Sequence, residues 1–201
     1  MSSESLPQQS ADSSAAEKLF AEQMAAEREY VARVYARLDE LREETAEKLA
    51  AVRKNQAVGG HQNRSERDSF ATHYEDRLAQ LNAVDSRLTF GRLDMDREGA
   101  DAVRYIGRIG ITDSNQQRLL MDWRAPEAGT FYQATAFHSM GVRRRRHLML
   151  EGRTVVNIED EVFDSEMLQD EDSLHGEGAL LAALNKKRTG RMGDIVATIQ
   201  A

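Results

Sequence analysis

Apolar residues recur at alternating steps of mostly three and four along the first quarter of the chain, with charged residues between them. This spacing is typical of the narrow seam of a coiled coil rather than of the wide apolar stripe of a globular helix. It predicts one long helix that begins near Ala15 and spans roughly 60 Å at 1.5 Å per residue. The seam residues are Phe20, Met24, Val31, Val34, Leu38, Leu41, Thr45, Leu49 and Val52.

Two glycines, Gly59 and Gly60, end this pattern. Glycine adopts the left-handed dihedrals of a helix C-terminus without steric cost. The Ser-x-x-Asp sequence at 65–68 then has the form of a capping box and predicts the start of a second helix. We therefore predict an antiparallel coiled-coil hairpin over residues 15–93, with its turn at 58–63. The returning seam consists of Phe70, Tyr74, Leu78, Leu81 and Leu88.

A second pattern begins after the polar segment 94–99, where short β-branched or aromatic runs alternate with turn residues. From residue 174 the spacing is helical again and predicts two C-terminal helices, which begin near residues 176 and 194. The prediction is an α+β fold in which the hairpin is followed by a strand-rich meander and these helices. The five predicted strands are 104–111, 118–123, 130–137, 142–150 and 153–158.

Composition adds two segments to this picture. The first fourteen residues are rich in Ser and Gln, and they predict a disordered tail over 1–14. Residues 159–172 contain eight acidic residues and no basic one, which predicts a solvated connection. The strand-rich region then occupies 94–201, and no Gly, Asn, Lys or Arg ends its last helix. We interpret that as a domain truncated at Ala201.

Several kinds of chemistry are excluded by the residues present. The chain of 201 residues has no cysteine, so it has no disulfide, thiolate zinc site or cysteine nucleophile. Its five histidines show no metal-ligand spacing, and no glycine cluster precedes the Lys-Ser or Lys-Thr of a phosphate loop. The N-terminus lacks a signal sequence, and no apolar run has the length of a membrane span. We expect a cytoplasmic protein without a catalytic residue or metal site in this segment and without membrane contact.

Four consecutive arginines, Arg143, Arg144, Arg145 and Arg146, form the most basic part of the chain. One interpretation is a nucleic-acid-binding module that contacts DNA or RNA here, although the net charge of −7 argues against binding over the whole surface. The other interpretation is structural. Alternate side chains of a strand face opposite ways, so two arginines lie on each face, where the downstream acidic residues can pair with them. The sequence leaves both interpretations open.

Six strings of residues give the chain a likeness to a known family. They are Val-Gly-Gly-His-Gln-Asn-Arg-Ser-Glu-Arg-Asp at 58–68, Leu-Thr-Phe-Gly-Arg-Leu-Asp at 88–94, Tyr-Ile-Gly-Arg-Ile-Gly at 105–110, Asp-Trp-Arg-Ala-Pro at 122–126, Phe-Tyr-Gln-Ala-Thr at 131–135 and Arg-Thr-Gly-Arg-Met-Gly-Asp-Ile-Val-Ala-Thr-Ile-Gln-Ala at 188–201. The chain resembles the N-terminal portion of the HelD family in its actinobacterial form. These are helicase-like factors of superfamily 1, similar to UvrD, that recycle RNA polymerase.

The resemblance implies a function and a set of site residues. It implies that the hairpin enters the secondary channel of RNA polymerase and that the next region begins a helicase-like ATPase, which releases stalled polymerase. Ile199 and Gln200 would lie at the edge of the adenine-reading motif, and ATP and Mg²⁺ would bind residues beyond Ala201. This segment alone should therefore be inactive as an ATPase. The channel-facing tip would comprise Gly59, Gly60, His61, Gln62, Asn63, Arg64, Glu66 and Asp68.

The tip differs in one respect from those channel-entering factors that hold Mg²⁺ with an acidic residue at the turn. Here the turn is His61-Gln62-Asn63, and the nearest carboxylates, Glu66 and Asp68, follow it on the returning helix. Magnesium requires oxygen ligands, with carboxylates the usual protein donors. We therefore expect this tip to wedge and position rather than to carry out metal chemistry.

Overall fold

The computed structural model describes residues 7–56 and 64–164, with the side chains of 15–54, 68–99 and 101–164. Residues Met24–Phe163 form one compact unit, and the contacts reported below lie within it. The hairpin turn at 58–63 and the C-terminal helices predicted from residue 176 onward lie outside the described residues. No helix in the described ranges combines the length and the apolar character needed to cross a bilayer.

The long N-terminal helix is confirmed. Helix α1 spans Pro7–Gln56, so it begins inside the range that the composition predicted as a disordered tail. Helix α2 spans Arg64–Ala83. Strand β1 then runs from Thr89 to Met95, across the predicted domain boundary between residues 93 and 94. Its residues alternate between buried and half-buried, as expected for a strand.

The strands form one mixed sheet of six rather than the predicted meander of five. The strand order is β3-β4-β2-β1-β5-β6, in which β2 and β4 run parallel and the other neighbours run antiparallel. The meander is wrong because β5 pairs with β1 instead of with the strand before it. The strands are β1 (Thr89–Met95), β2 (Val103–Gly107), β3 (Ile111–Thr112), β4 (Arg118–Asp122), β5 (Val142–Glu151) and β6 (Thr154–Val162).

The strand predicted at 130–137 is wrong. A 3₁₀ turn at Pro126–Gly129 leads into the short helix α3 (Thr130–Gln133). Phe131 and Ala134 are both buried and three residues apart, which is helical spacing. The Phe131 ring lies over Gly91 of β1, where any side chain would collide with it. The missing side chain at that position therefore makes room for the ring.

The acidic segment predicted as a solvated connection is partly a strand. Strand β6 continues to Val162, and its cross-strand partners on β5 are basic, with Arg146 opposite Asp160 and Arg145 opposite Glu161. Opposite charges across an antiparallel pair stabilise it. The excess of acidic residues favoured a solvated connection, whereas the pairing of these residues with the arginines, one of the two interpretations of the arginine run, accounts for the strand.

Both faces of the sheet are covered. Residues 24–38 of α1 lie on one face, where the core consists of Met24, Val31, Val34, Tyr35, Leu38, Leu81, Val84, Leu88, Tyr105, Ile109, Ile111, Leu120, Leu148, Val155 and Ile158. The segment around α3 covers the other face, with Leu93, Met95, Ile106, Met121, Ala128, Phe131, Ala134 and Val142. The residues of α1 from Met24 to Leu38 were predicted to form a coiled-coil seam, and that prediction is wrong for them because they pack on the sheet.

Beyond this sheet contact, α1 bonds to α2 and to the connection that follows it. Arg53 Nη2 lies 2.7 Å from Glu75 Oε1, and Arg42 Nη2 donates to the carbonyl oxygen of Leu81 at 2.8 Å. The residue numbers of the bonded partners on α2 increase as those on α1 decrease. The two helices therefore run in opposite directions along this stretch.

Candidate functional site

A closed ring of six alternating charges lies between α1 and the sheet, and we call it the charge ring. It contains three arginines and three carboxylates, so its net charge is zero. Each member pairs with the next around the ring, and the last pairs with the first. In that order the members are Glu27, Arg92, Asp94, Arg144, Asp160 and Arg146.

Glu27 is the only member of the ring on α1, and it is fully buried. Its Oε1 lies 2.7 Å from Arg92 Nη1 and 2.8 Å from Arg146 Nη1. Its Oε2 accepts a hydrogen bond of 2.8 Å from the hydroxyl of Tyr105. A buried carboxylate without partners would cost several kcal/mol, on the order of 3–5 when one partner of a pair is lost. These three donors therefore make its burial tolerable and fix one register of α1 on the sheet.

The strand residues close the rest of the ring. Arg92 Nε lies 2.7 Å from Asp94 Oδ1, and Arg144 Nε lies 2.7 Å from Asp94 Oδ2. Asp160 accepts two bonds from Arg146, from Nε at 2.7 Å and from Nη2 at 2.6 Å. It also lies 3.5 Å from Arg144 Nη1. Arginine suits this place because its planar fork can bond two carboxylates at once.

Three groups in or beside the ring, Arg92, Arg146 and Tyr105, have raised pKa values. Burial opposes the charge of Arg92, but the carboxylates of Asp94 and Glu27 outweigh it and hold the Arg92 pKa above its ordinary value. The pKa of Arg146 is likewise raised, because Asp160 and Glu27 outweigh its burial. Burial also raises the pKa of Tyr105, and the charge of Glu27 adds to that effect. A charged guanidinium and a neutral phenol exchange no proton near neutral pH, so these three groups act as structural pins rather than as acids or bases.

An aromatic stack beside the ring adds to the attachment of α1. The rings of Tyr30 and Tyr105 are stacked with their centroids 3.6 Å apart, and the Tyr30 hydroxyl donates to the carbonyl oxygen of Leu119 at 2.7 Å. The guanidinium of Arg33 lies over Tyr30 and that of Arg92 over Tyr105. Cations over aromatic faces are attracted by the ring quadrupole.

The arginine run divides between the two faces of the sheet. Arg144 and Arg146 belong to the charge ring, whereas Arg145 faces the α3 side. Arg145 Nη1 donates to the carbonyl oxygen of Phe131 at 2.6 Å, and its Nε lies 3.1 Å from Glu161 Oε2. Arg143 also has an interaction partner. The structural interpretation of the run accounts for these contacts, and contact with nucleic acid stays a prediction.

A second charged cluster lies where α1 leaves the sheet, and we call it the junction clamp. It consists of Tyr35, Asp39, Arg42, Asp85 and Arg153. Arg153, in the turn between β5 and β6, bonds Asp39 through two nitrogens, at 2.6 and 3.0 Å. Its Nη2 also lies 2.6 Å from Asp85 Oδ1, and its guanidinium lies over the ring of Tyr35.

Arg42 completes the junction clamp from the α1 side. Its Nη1 lies 3.0 Å from Asp39 Oδ1 and 2.8 Å from Asp85 Oδ1. The Tyr35 hydroxyl donates to the carbonyl oxygen of Gly152 at 3.4 Å and accepts from the amide of Leu88 at 3.3 Å. Hydrogen bonds from Arg153 lower the pKa of Asp39 and of Asp85. The clamp thus joins α1, the connection after α2, and the β5–β6 turn.

Most of the predicted tip residues lie outside the part of the chain that the structure describes. Gly59, Gly60, His61, Gln62 and Asn63 lie outside the described residues, as do Ile199 and Gln200. Arg64 begins α2, Glu66 follows within its first turn, and Asp68 is an exposed residue of that helix. Within the described ranges no group of three His, Cys, Asp or Glu residues is placed to hold a metal ion.

Sequence analysis missed Glu27, the centre of the charge ring. The signal was present, because the seam steps from Met24 to Val31 and Glu27 fills the missing position at helical spacing. A charged residue at an otherwise apolar position indicates either solvent or a buried partner. The partners Arg92 and Arg146 are too far along the sequence to be predicted from that position alone.

These features define an α+β domain with a mixed sheet and a pair of helices, α1 and α2. The charge ring and the junction clamp attach one end of this helix pair to the sheet. The chain matches the family described as "DNA helicase IV HelD, N-terminal domain" over residues 24–174. It belongs to that family, as its six strings predicted, and is a HelD-related, helicase-like protein. A comparison with curated proteins finds no match.

Proposed function

We propose that this chain is the RNA-polymerase-binding part of a HelD-type recycling factor and that the distal ends of α1 and α2 enter the polymerase secondary channel. The observation that carries the proposal is a change of partner along α1. Up to Asp39 its long-range bonds go mainly to the sheet and its β5–β6 turn, and from Arg42 onward they go to α2 and Asp85. From Asp39 to Gln56 the helix extends for about 25 Å. That is a suitable length for a probe.

In this proposal the distal helices form an antiparallel coiled-coil hairpin that closes through residues 57–63. Leu49 of α1 and Ala71 and Leu81 of α2 are buried, as a seam between the helices requires. Phe70, near the start of α2, is 56% exposed. A large aromatic side chain left in solvent near the end of a narrow element is suited to a pocket on a partner. The tip then acts by wedging. ATP and Mg²⁺, bound by the ATPase part of the factor, drive the release of stalled polymerase.

The proposal is tested by binding of the full chain to actinobacterial core RNA polymerase. Phe70→Ser and a triple change of His61, Gln62 and Asn63 to Ala should each weaken binding at moderate salt. Phe137→Ser is the matched control, because Phe137 is fully exposed but lies on the turn after α3, on the sheet-bearing part. If the parent chain does not bind, or if only Phe137→Ser weakens binding, the hairpin is not the contact.

The alternative function is nucleic-acid binding through Arg143, Arg144, Arg145 and Arg146. Three of these guanidiniums already bond carboxylates, so phosphate would have to displace Asp94, Asp160 or Glu161. No observation favours this function over the first. A DNA affinity that falls steeply with salt, and that is lost on neutralising Arg143 and Arg145 while the fold is retained, would support it.

A further inference from the structure

The junction clamp occupies the place where three elements leave the sheet. Asp39 follows Leu38, the last fully buried residue of α1 in the core over the sheet. Asp85 lies between the end of α2 and the start of β1. Arg153 follows Gly152, whose φ of 59° forms the tight turn between β5 and β6. Asp39 therefore lies within α1 at the end of its buried contact with the sheet, and the other two charged groups lie in the connections next to it.

Arg153 is the member that bridges the sheet to α1 and to the connection after α2. Its two terminal nitrogens reach Asp39 on α1 and Asp85 beyond α2, with N···O distances between 2.6 and 3.0 Å. A lysine would offer a single nitrogen at the same place, whereas the arginine fork can hold two carboxylates in fixed directions. The guanidinium carbon of Arg153 also lies over the ring of Tyr35, 5.1 Å from the ring centroid.

The exposure of these groups argues for a role in orientation. The side chains of Arg153, Asp39 and Asp85 are each 40–50% exposed. Ion pairs at that exposure add little to folding stability. The cores on both faces of the sheet hold the fold without them.

We propose that Arg153 is a positioning residue that sets the direction of the distal α1–α2 helix pair relative to the sheet. Without its bonds, the α2 end is held to the sheet by the apolar contacts of Leu81, Val84 and Leu88, and to α1 by the bonds of Arg42. The pair then samples a wider range of angles while each part stays folded. The consequence for polymerase binding rests on the proposed function, but the alignment itself does not.

The test measures distances within the isolated protein. The chain has no cysteine, so pairs of introduced cysteines accept spin labels without background. Ala51 on α1 and Val156 on β6 report the angle between the helix pair and the sheet, and both are exposed. Ala51 with Ala79 on α2 reports whether the helix pair itself stays intact. Pulsed electron resonance gives the distance distribution for each pair of labels.

Arg153→Ala should broaden or displace the Ala51–Val156 distribution and leave the Ala51–Ala79 distribution unchanged. Arg153→Lys should give an intermediate width, and Arg124→Ala, which removes an exposed arginine paired with Asp122 away from the clamp, should give the parent width. High salt should broaden the parent distribution, since half-exposed pairs are screened. An Ala51–Val156 distribution that stays as narrow as the parent's overturns the proposal. Broadening of both distributions also overturns it, because the clamp then only holds the helices together.

A second variant covers the case in which Arg153→Ala does not fold. Asp85→Asn leaves the bonds between Arg153 and Asp39 in place and weakens only the link to the α2 side. It should broaden the Ala51–Val156 distribution while the melting temperature stays near the parent value. Because these distances are measured without polymerase, loss of polymerase binding with a normal distribution would count against the proposed function and not against the clamp.

Discussion

Arg146 Nη1 lies 2.8 Å from Glu27 Oε1, although the two residues are 119 positions apart in the sequence. Both side chains are almost completely buried, one on the long helix and one on the central part of the sheet. The pair, with the four other members of the charge ring, forces a single placement of α1. The ring therefore fixes α1 where it lies on the sheet.

Replacing Glu27 by Gln should therefore destabilise the fold strongly. The change leaves the buried Arg146 and the largely buried Arg92 with one carboxylate fewer, and breaking a buried pair in this way costs about 3–5 kcal/mol. The free energy of unfolding, from urea denaturation followed by circular dichroism, measures the loss. Glu29→Gln is the matched control, since Glu29 is an exposed glutamate on the same helix. Equal costs for the two variants would show that the ring does not hold α1.

A change of Gly91 to Ala should also be destabilising, for steric reasons. The added methyl group would collide with the Phe131 ring, and such overpacking costs about 1–3 kcal/mol. Gly110→Ala is the control, because a Cβ there meets its nearest atoms at 3.8 Å, an ordinary contact. Thermal melts of both variants give the comparison. An unchanged melting temperature for Gly91→Ala would mean that α3 does not sit tightly on the sheet.

Stability should fall at alkaline pH, and Tyr105 should cause part of the fall. Burial raises its pKa in the folded chain above the value of about 10 found in unfolded chains. The unfolded state therefore releases its proton first, so the stabilisation is complete below about pH 10 and is lost as the pH rises toward the folded pKa. Burial likewise raises the pKa of Tyr30 and Tyr35.

Tyr105→Phe isolates the contribution of this one phenol. The variant loses the hydrogen bond to Glu27, at a cost of about 1.5–3 kcal/mol for a bond to a charged group, and its stability should fall less steeply above pH 10. Unfolding free energies measured at several alkaline pH values supply both slopes. Identical slopes for parent and variant would rule out Tyr105 as a source of the alkaline loss.

Mg-ATP should leave the stability of this chain unchanged. No glycine cluster in the sequence continues into the Lys-Ser or Lys-Thr of a phosphate loop, and a ligand stabilises only a state that binds it, by RT ln(1 + [L]/Kd). Thermal melts with and without millimolar Mg-ATP in one buffer make the comparison. A raised melting temperature would reveal a nucleotide site that the sequence does not indicate.

The sequence predicted the long helix but not what its residues 24–38 touch. The spacing from Met24 to Leu38 fits a partner helix and a sheet equally well, because periodicity shows which face is apolar and not what covers it. Phe131 and Ala134 were assigned to a strand because aromatic and β-branched residues near them favour strands. Their spacing of three residues was the better indication of a helix. In that conformation the Phe131 ring fills the space over Gly91, where the side chain is absent.

The candidate site divides in the same way. The arginine run and the acidic residues that follow it were both visible in the sequence, and their mutual pairing was one of the two interpretations. The closure of the ring by Glu27 and the bridging of α1 to the connection after α2 by Arg153 were not predictable. Each depends on residues more than sixty positions apart, which only the topology of the sheet brings together.

The most direct test of the account is a cross-linking experiment with core RNA polymerase. A photoreactive amino acid replaces Phe70 in one full-length chain and Phe137 in another, and each is irradiated with the polymerase. We predict that the Phe70 position cross-links to the wall of the secondary channel and that the Phe137 position does not. Cross-linking from Phe137 alone, or from Phe70 to a surface outside the channel, would contradict the claim that the sheet holds this helix pair out to enter the polymerase.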